Sequence, residues 1–467
     1  MMSVNPRRYS IPVVCCALTF VAAAAKTAVA EDSRYQKWQR NRPFTIGAMY
    51  YDGGYGPPAQ LPAPEGAQPD MSMFRFAGLN LLDDVSWSNG GHERYPGASA
   101  AQKAGVPFMI LGAASQEDPV EAMNAFQSHV MFMADDPRWS GLCGVQLADE
   151  PRNPILQANY RRQRDWLVHT YPHLLTLICE TLSDYPTCEK QYEAIQPDAF
   201  IYQWYPYHTS DTQSLDITPY MYACLGRASV FCRDRGIGFF LARGASGTPK
   251  SESLLRLSTY APLAYGCQGF IDWSWDTSDW YRQPGMTPYA PDTGYVWYGR
   301  GRPQPTPHTE KLARINREVA NLGPTLLRLR HVRTVHLNVK TGSAGAGMLY
   351  HFDDAATDGL TSGRLEAVTG TTDHLLVSFF RDAGDEEYFM VVNKHNARDP
   401  HGDETHLLHR VTLTFAEDVD AIRHLSRHTG RVESLSLENH RYTFSLPGGT
   451  GDLFKYRTGK PFVGAEQ

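Results

Sequence analysis

Leu142-Cys143-Gly144-Val145-Gln146-Leu147-Ala148-Asp149-Glu150-Pro151-Arg152 decides how this chain is read. Leu142 to Ala148 has the length and apolar content of a buried strand. The run stops at two adjacent carboxylates and then Pro151, which has no N–H to continue a ladder. Two acids therefore stand at the C-terminal tip of a core strand.

Working outward, strand-like and helix-like stretches alternate. The other strands are predicted at Phe44 to Tyr51, Leu79 to Val85, Val106 to Ala113, Leu174 to Glu180, Ala199 to Tyr205, Ile237 to Arg243 and Gly269 to Trp275. Helices are predicted around Met71 to Ala77, Val120 to Met133, Pro154 to Tyr171, Pro219 to Asp234, Glu252 to Tyr265 and Thr309 to Leu322. In the last of these, Leu312, Ile315, Val319 and Leu322 recur at helical spacing, and Gly323-Pro324 is expected to stop it. Glu31 to Pro43 reads as a polar spacer. Such alternation implies a parallel sheet, here an α/β (β/α)8 barrel over residues 31–331. A doubly wound open sheet ranks lower, because Gly53-Gly54-Tyr55-Gly56 lacks GxGxxG spacing and a following helix. From Val332 to Gln467, short alternating runs such as Leu375 to Phe380 and Arg410 to Phe415 predict a C-terminal antiparallel β-sandwich.

Composition narrows the function. The 467 residues include nine Trp and 25 Tyr, and the formal net charge is −6. There is no basic stripe, so nucleic acid is not expected as a partner. Residues 1–30 read as a signal peptide: Arg7 and Arg8, then apolar Ile11 to Ala25, then Ala28-Val29-Ala30. That apolar run is shorter than the roughly 20 residues of a membrane span, and no later segment reads as one. The chain is expected to be secreted or periplasmic, and loss of Arg7, Arg8 and Lys26 leaves a charge of about −9. Six cysteines follow the leader. Cys179–Cys188 and Cys224–Cys232 are candidate local bridges, and no CxxC spacing points to zinc.

The candidate chemistry lies at strand tips. Asp149, Glu150, Glu180, Asp272 and Asp276 are the acids there. Tyr51, Trp87, Trp204, Tyr205, Tyr207, His208, Arg243, Trp273 and Trp275 are the candidate substrate contacts. Carboxylates and aromatic faces converging on one rim suit a sugar: two acids do acid/base work, and rings stack on pyranose C–H faces. Trp273 and Trp275, two apart on a strand, are expected to share one face. The competing view of Asp149 and Glu150 is that they cap the helix after Asn153. Asp83 and Asp84 rank below the other acids. No metal and no organic cofactor are expected.

The chain resembles the large superfamily of barrel glycoside hydrolases at Gln146 to Pro151, at Gly269-Phe270-Ile271-Asp272-Trp273-Ser274-Trp275 and at Pro305 to Leu326. Leu446 to Phe454 looks like the last strand of the sandwich that ends many of them. The resemblance covers most of residues 44–459 and implies a carbohydrate substrate, with Glu150 as general acid/base. Retaining members carry Asn-Glu-Pro here and a Glu at strand seven. This chain has Asp149, and its strand seven ends Leu241-Ala242-Arg243-Gly244. Substrate-assisted N-acetylhexosaminidases carry Asp-Glu instead, the Asp orienting the acetamido group that attacks. Both readings stay open, as does a carbohydrate-binding barrel without catalysis. Oligomeric state is not readable.

Overall fold

The computed structural model describes residues 32–50, 70–85, 96–112, 116–182, 185–204, 219–244, 250–273, 275–277, 296–297, 304–338, 343–344, 364–371, 374–397, 399 and 402–465. After α1 (Arg34–Gln39) come β1 (Thr45–Tyr50), α2 (Met71–Phe76), β2 (Leu81–Asp84), α3 (Pro96–Ala104), β3 (Phe108–Leu111), α4 (Pro119–Ala134) and β4 (Leu142–Asp149). Then follow α5 (Pro154–Thr170), β5 (Leu175–Thr181), α6 (Tyr185–Ile195), β6 (Ala199–Trp204), α7 (Pro219–Arg235), β7 (Gly238–Arg243), α8 (Glu252–Ala264) and β8 (Gly269–Asp272). Strands β1 to β8 pair in sequence order, and β8 closes on β1 in parallel. The fold is a TIM barrel. β9 (Asp276–Thr277), β10 (Val296–Trp297) and β11 (Gln304–Pro305) form a small sheet before α9 (Pro307–Leu326).

Side chains alternate along each strand, so every second residue faces the lumen and the others face the helices. Met49, Leu81, Met109, Leu177, Cys179, Ile201, Phe240 and Ile271 fill the lumen. Phe108, Val145, Ile178, Phe200, Leu241 and Phe270 pack outward.

The predicted polar spacer has a structural task. Ser33 and Gln36 form a reciprocal capping box that starts α1. Tyr35 and Trp38 then join the lumen cluster, and Trp38 Nε1 donates to the Cys143 carbonyl at 2.8 Å. This short helix closes the N-terminal end of the barrel and leaves the C-terminal rim as the mouth. Helix α9 likewise differs from expectation: it runs through Gly323-Pro324 to Leu326. A Cβ at Gly323 would stand 2.4 Å from the Phe44 Cβ, so glycine allows the helix to lie against the barrel wall.

Beyond α9 the chain turns antiparallel. β12 (Arg330–Asn338), β13 (Ser343–Ala344), β14 (Leu365–Gly370), β15 (Leu375–Arg381), β16 (Glu387–Asn393), β17 (His409–Phe415), β18 (Ala421–Leu425), β19 (Val432–Ser436), β20 (Arg441–Leu446) and β21 (Gly451–Tyr456) form two sheets. Among the described residues one has seven strands and the other three, β14-β17-β20. Val377, Phe389, Leu413 and Phe454 lie in the core between them. Alternate residues Leu376, Phe380, Tyr388 and Met390 belong to the barrel's own core, so β15 and β16 are buried on both faces. That double burial explains their near-continuous apolar sequence.

The candidate disulfides are not formed. Cys143, Cys179, Cys188, Cys224, Cys232 and Cys267 are free and buried. Cys179 faces the lumen while Cys188 lies in the outer layer, on opposite sides of the barrel wall. Among the described residues no helix is long and apolar enough to cross a membrane.

Candidate active site at the barrel mouth

Strand β4 carries a register shift against β5 between Gln146 and Ala148. Leu147 is the extra residue, and an extra residue flips the face of everything after it. Gln146 pairs with lumen-facing Leu177, yet Asp149 pairs with lumen-facing Cys179. Without the bulge Asp149 would point into the helix layer. Glu150 then adopts φ +44°, a left-handed conformation that a non-glycine residue rarely takes. Its N–H still donates to the Cys179 carbonyl at 2.9 Å. Bulge and turn together bring two consecutive acids to one mouth. They do not cap the next helix: the Asn153 side chain does, accepting from Ile155 N at 2.9 Å.

The two carboxylates have different partners. Asp149 is exposed at the rim and accepts from Gln203 Nε2 at 3.2 Å. Desolvation by the rim and the adjacent Glu150 charge push its carboxyl up to about 6. Glu150 accepts from the Thr181 hydroxyl at 2.7 Å and lies 3.5 Å from the Arg152 guanidinium. Thr181 of β5 and Gln203 of β6 are register partners, on the face that Cys179 and Ile201 show to the lumen. The arrangement is therefore a pair of coupled acids held from one side by an amide, a hydroxyl and a guanidinium.

Several expected site residues lie elsewhere. Arg243 and Asp272 are out of phase with lumen-facing Ala242 and Ile271, so they point into the helix layer. There the guanidinium grips Asp272 with Nε–Oδ1 2.8 Å and Nη2–Oδ2 2.7 Å and also reaches Thr259 and Asn316. This sealed pair replaces the expected catalytic and sugar-binding roles. Glu180 is also out of phase and fully buried; it accepts from Thr181 N and Gln191, with Arg152 at 3.4 Å. Burial raises its pKa. It braces the wall and does not face the mouth. Trp275 is fully buried against Phe74, with ring centroids 5.1 Å apart, because the strand ends before it. Trp273 alone of the two tryptophans packs on the lumen cluster, and it stays partly exposed.

Asp276 and Trp204 lie in strands, but their own side chains fall outside the described residues, and Tyr51, Trp87, Tyr205, Tyr207 and His208 fall outside them altogether. Sequence reasoning passed over Thr181, Gln203 and Arg152. Thr181 and Gln203 carry a usable signal: each sits at a strand tip in phase with lumen residues.

No protein-family model matches the sequence. No curated protein matches it either. Among solved structures, the chain is similar to the endo-β-1,4-mannanase from Thermotoga petrophila at 11% identity and TM-score 0.42, covering 88% of this chain and 99% of that one. It is similar to the α-L-arabinofuranosidase from Thermotoga maritima at 8% identity and TM-score 0.44, covering 88% and 96%. A third is SrfJ from Salmonella typhimurium, at 10% identity and TM-score 0.42, covering 89% and 90%. The barrel itself rests on its own closed strand order.

Proposed function

We propose that this protein is an exported glycoside hydrolase acting on an oligo- or polysaccharide, with the Asp149–Glu150 pair carrying its acid/base chemistry. The observation that carries the reading is the local rearrangement of β4. A bulge and a left-handed residue cost stability, and together they serve to turn both acids toward one opening. Glu150 protonates the leaving oxygen. Asp149, held by Gln203, orients the substrate. Adjacent acids of this kind suit substrate assistance, in which the acetamido oxygen of an N-acetyl sugar attacks and Asp149 holds that group. Trp273 at the rim offers a ring face to the sugar.

The test is hydrolysis of aryl glycosides that include N-acetylhexosaminides. Cleavage of an N-acetyl sugar with inhibition by the matching thiazoline supports substrate assistance. Cleavage only of sugars without the acetamide sends the search to a second carboxylate. Glu150→Gln lowers turnover by about 10²–10⁴ while sugar binding remains. An unchanged rate removes Glu150 from the mechanism, and binding without turnover in the wild type identifies a carbohydrate-binding barrel.

One observation favours an exchange of roles within the pair. Asp149 holds its proton up to about 6, while Glu150 faces the Arg152 cation. In that arrangement Asp149 donates and Glu150 stabilises positive charge on the sugar. Leaving groups decide it: the variant that lost the donor retains activity on nitrophenyl glycosides, which need little protonation, and loses it on poor leaving groups.

A further inference from the structure

Asp83 differs from the other acids of the barrel. It lies on β2 between Met49 of β1 and Met109 of β3, and strand phase places it on the lumen side with Leu81. It is fully buried, and neither carboxylate oxygen has a hydrogen-bond partner among the described residues. Its neighbour Asp84 points the other way, where Oδ2 accepts from Ala98 N at 2.7 Å. The titratable groups whose charges act on Asp83, or on which its charge acts, are Asp84 behind it on its own strand, Asp149 and Cys143 on β4, and Cys179 on β5. These are acids and thiols, and the Arg42 guanidinium bonds the Cys143 thiol, not the Asp83 carboxyl. Gln146, also in lumen phase and buried, brings a third polar atom without a partner among the described residues, its Oε1.

We propose that Asp83 is a positioning residue for the mouth: sealed in the barrel lumen, it stays protonated where the Asp149–Glu150 pair works and so leaves Asp149 free to ionise. This rests on that pair being the working site. An ionised carboxylate without a partner is costly in an apolar enclosure, whereas the neutral acid avoids most of that cost. Burial first, then the charges of Asp84 and Asp149, push the Asp83 carboxyl up to about 8. Were Asp83 ionised as well, its charge would hold Asp149 neutral, because like charges in one site raise each other's pKa. Asp83 acts through Asp149 and does not touch the sugar.

The test reads protonation directly, in the full chain labelled with ¹³C at aspartate carboxyls. Wild type, Asp83→Asn and Asp83→Leu are titrated, and Asp149 is assigned by its absence in Asp149→Asn. One aspartate is expected to keep its protonated shift past pH 7 and to vanish in both Asp83 variants. The Asp149 midpoint is expected to stay within about 0.3 unit of wild type in Asp83→Asn, since one neutral group replaces another. If every aspartate is ionised at pH 7, or if the Asp149 midpoint falls further than that, the proposal is overturned. Asp83→Leu, also neutral, gives the same reading should the amide variant misfold. A protein that cleaves no glycoside yet titrates this way loses the glycosidase reading and keeps the charge arrangement. The reverse pattern removes Asp83 alone.

Discussion

Arg243 and Asp272 sit at the tips of neighbouring strands β7 and β8 and grip each other through two parallel contacts of 2.8 and 2.7 Å. Both are essentially inaccessible to solvent. Thr259 of α8 and Asn316 of α9 also accept from the guanidinium, and Asn316 in turn reaches the Ala77 carbonyl. The pair ties the last third of the barrel to its helices.

Breaking that pair should therefore cost stability and spare recognition. Arg243→Met leaves a buried carboxylate without its partner and is expected to lower unfolding free energy by about 3–5 kcal/mol. Urea unfolding measures this. A stable variant with a raised KM would instead place Arg243 against the substrate.

Glu150 should reveal the strain of its left-handed backbone. Glu150→Gly and Glu150→Ala both remove the carboxylate, but only glycine accepts φ +44° without penalty. The glycine variant is expected to be more stable than the alanine variant by about 1 kcal/mol, and both lack activity. Equal melting temperatures would show that the turn is relaxed.

Asp83 should make stability fall as pH rises. Its folded-state carboxyl titrates near 8, against about 3.9 in the unfolded chain. Between those values the folded protein holds a proton that the unfolded chain has released. Stability therefore declines through that window, by up to about 5 kcal/mol. Asp83→Asn removes the proton exchange, so its stability relative to wild type should improve from pH 5 to pH 8. Parallel stability curves across that range would contradict the buried acid.

Gln203 should set the acid limb of the pH profile. Its amide donates to Asp149 and favours the ionised carboxylate. Gln203→Ala is expected to raise the Asp149 midpoint above about 6, by up to about 1 unit, and to move the rising limb of kcat/KM to higher pH. A downward shift would assign that limb to another group.

Much of the architecture was legible because it is written in local pattern. Apolar runs of strand length, separated by amphipathic segments, lead to eight parallel strands by burial alone. Glu150 and Asp149 stood out because acids are rarely placed at the end of a core strand without a reason. Three other candidates failed at strand phase. Arg243, Asp272 and Glu180 are at the right tips but one residue out of the lumen register, and a period of two gives the wrong face after a one-residue error. Asp83 and Asp84 ranked low together, because adjacent acids in a strand carry no mark of which one faces the lumen.

The sequence by itself determined the barrel, the antiparallel C-terminal sheets and the strand whose tip holds the paired acids, because hydrophobic periodicity acts over neighbouring residues. Only the tertiary structure decided which acids meet. The bulge at Leu147 depends on pairing with β5, and the left-handed turn at Glu150 depends on its bond to the Cys179 carbonyl. Whether a carboxylate finds a cation, as Asp272 does, or is buried without a hydrogen bond among the described residues, as Asp83 is, depends on strands and helices far apart in the chain. Long-range pairing sets the face, the partner and hence the charge of each acid.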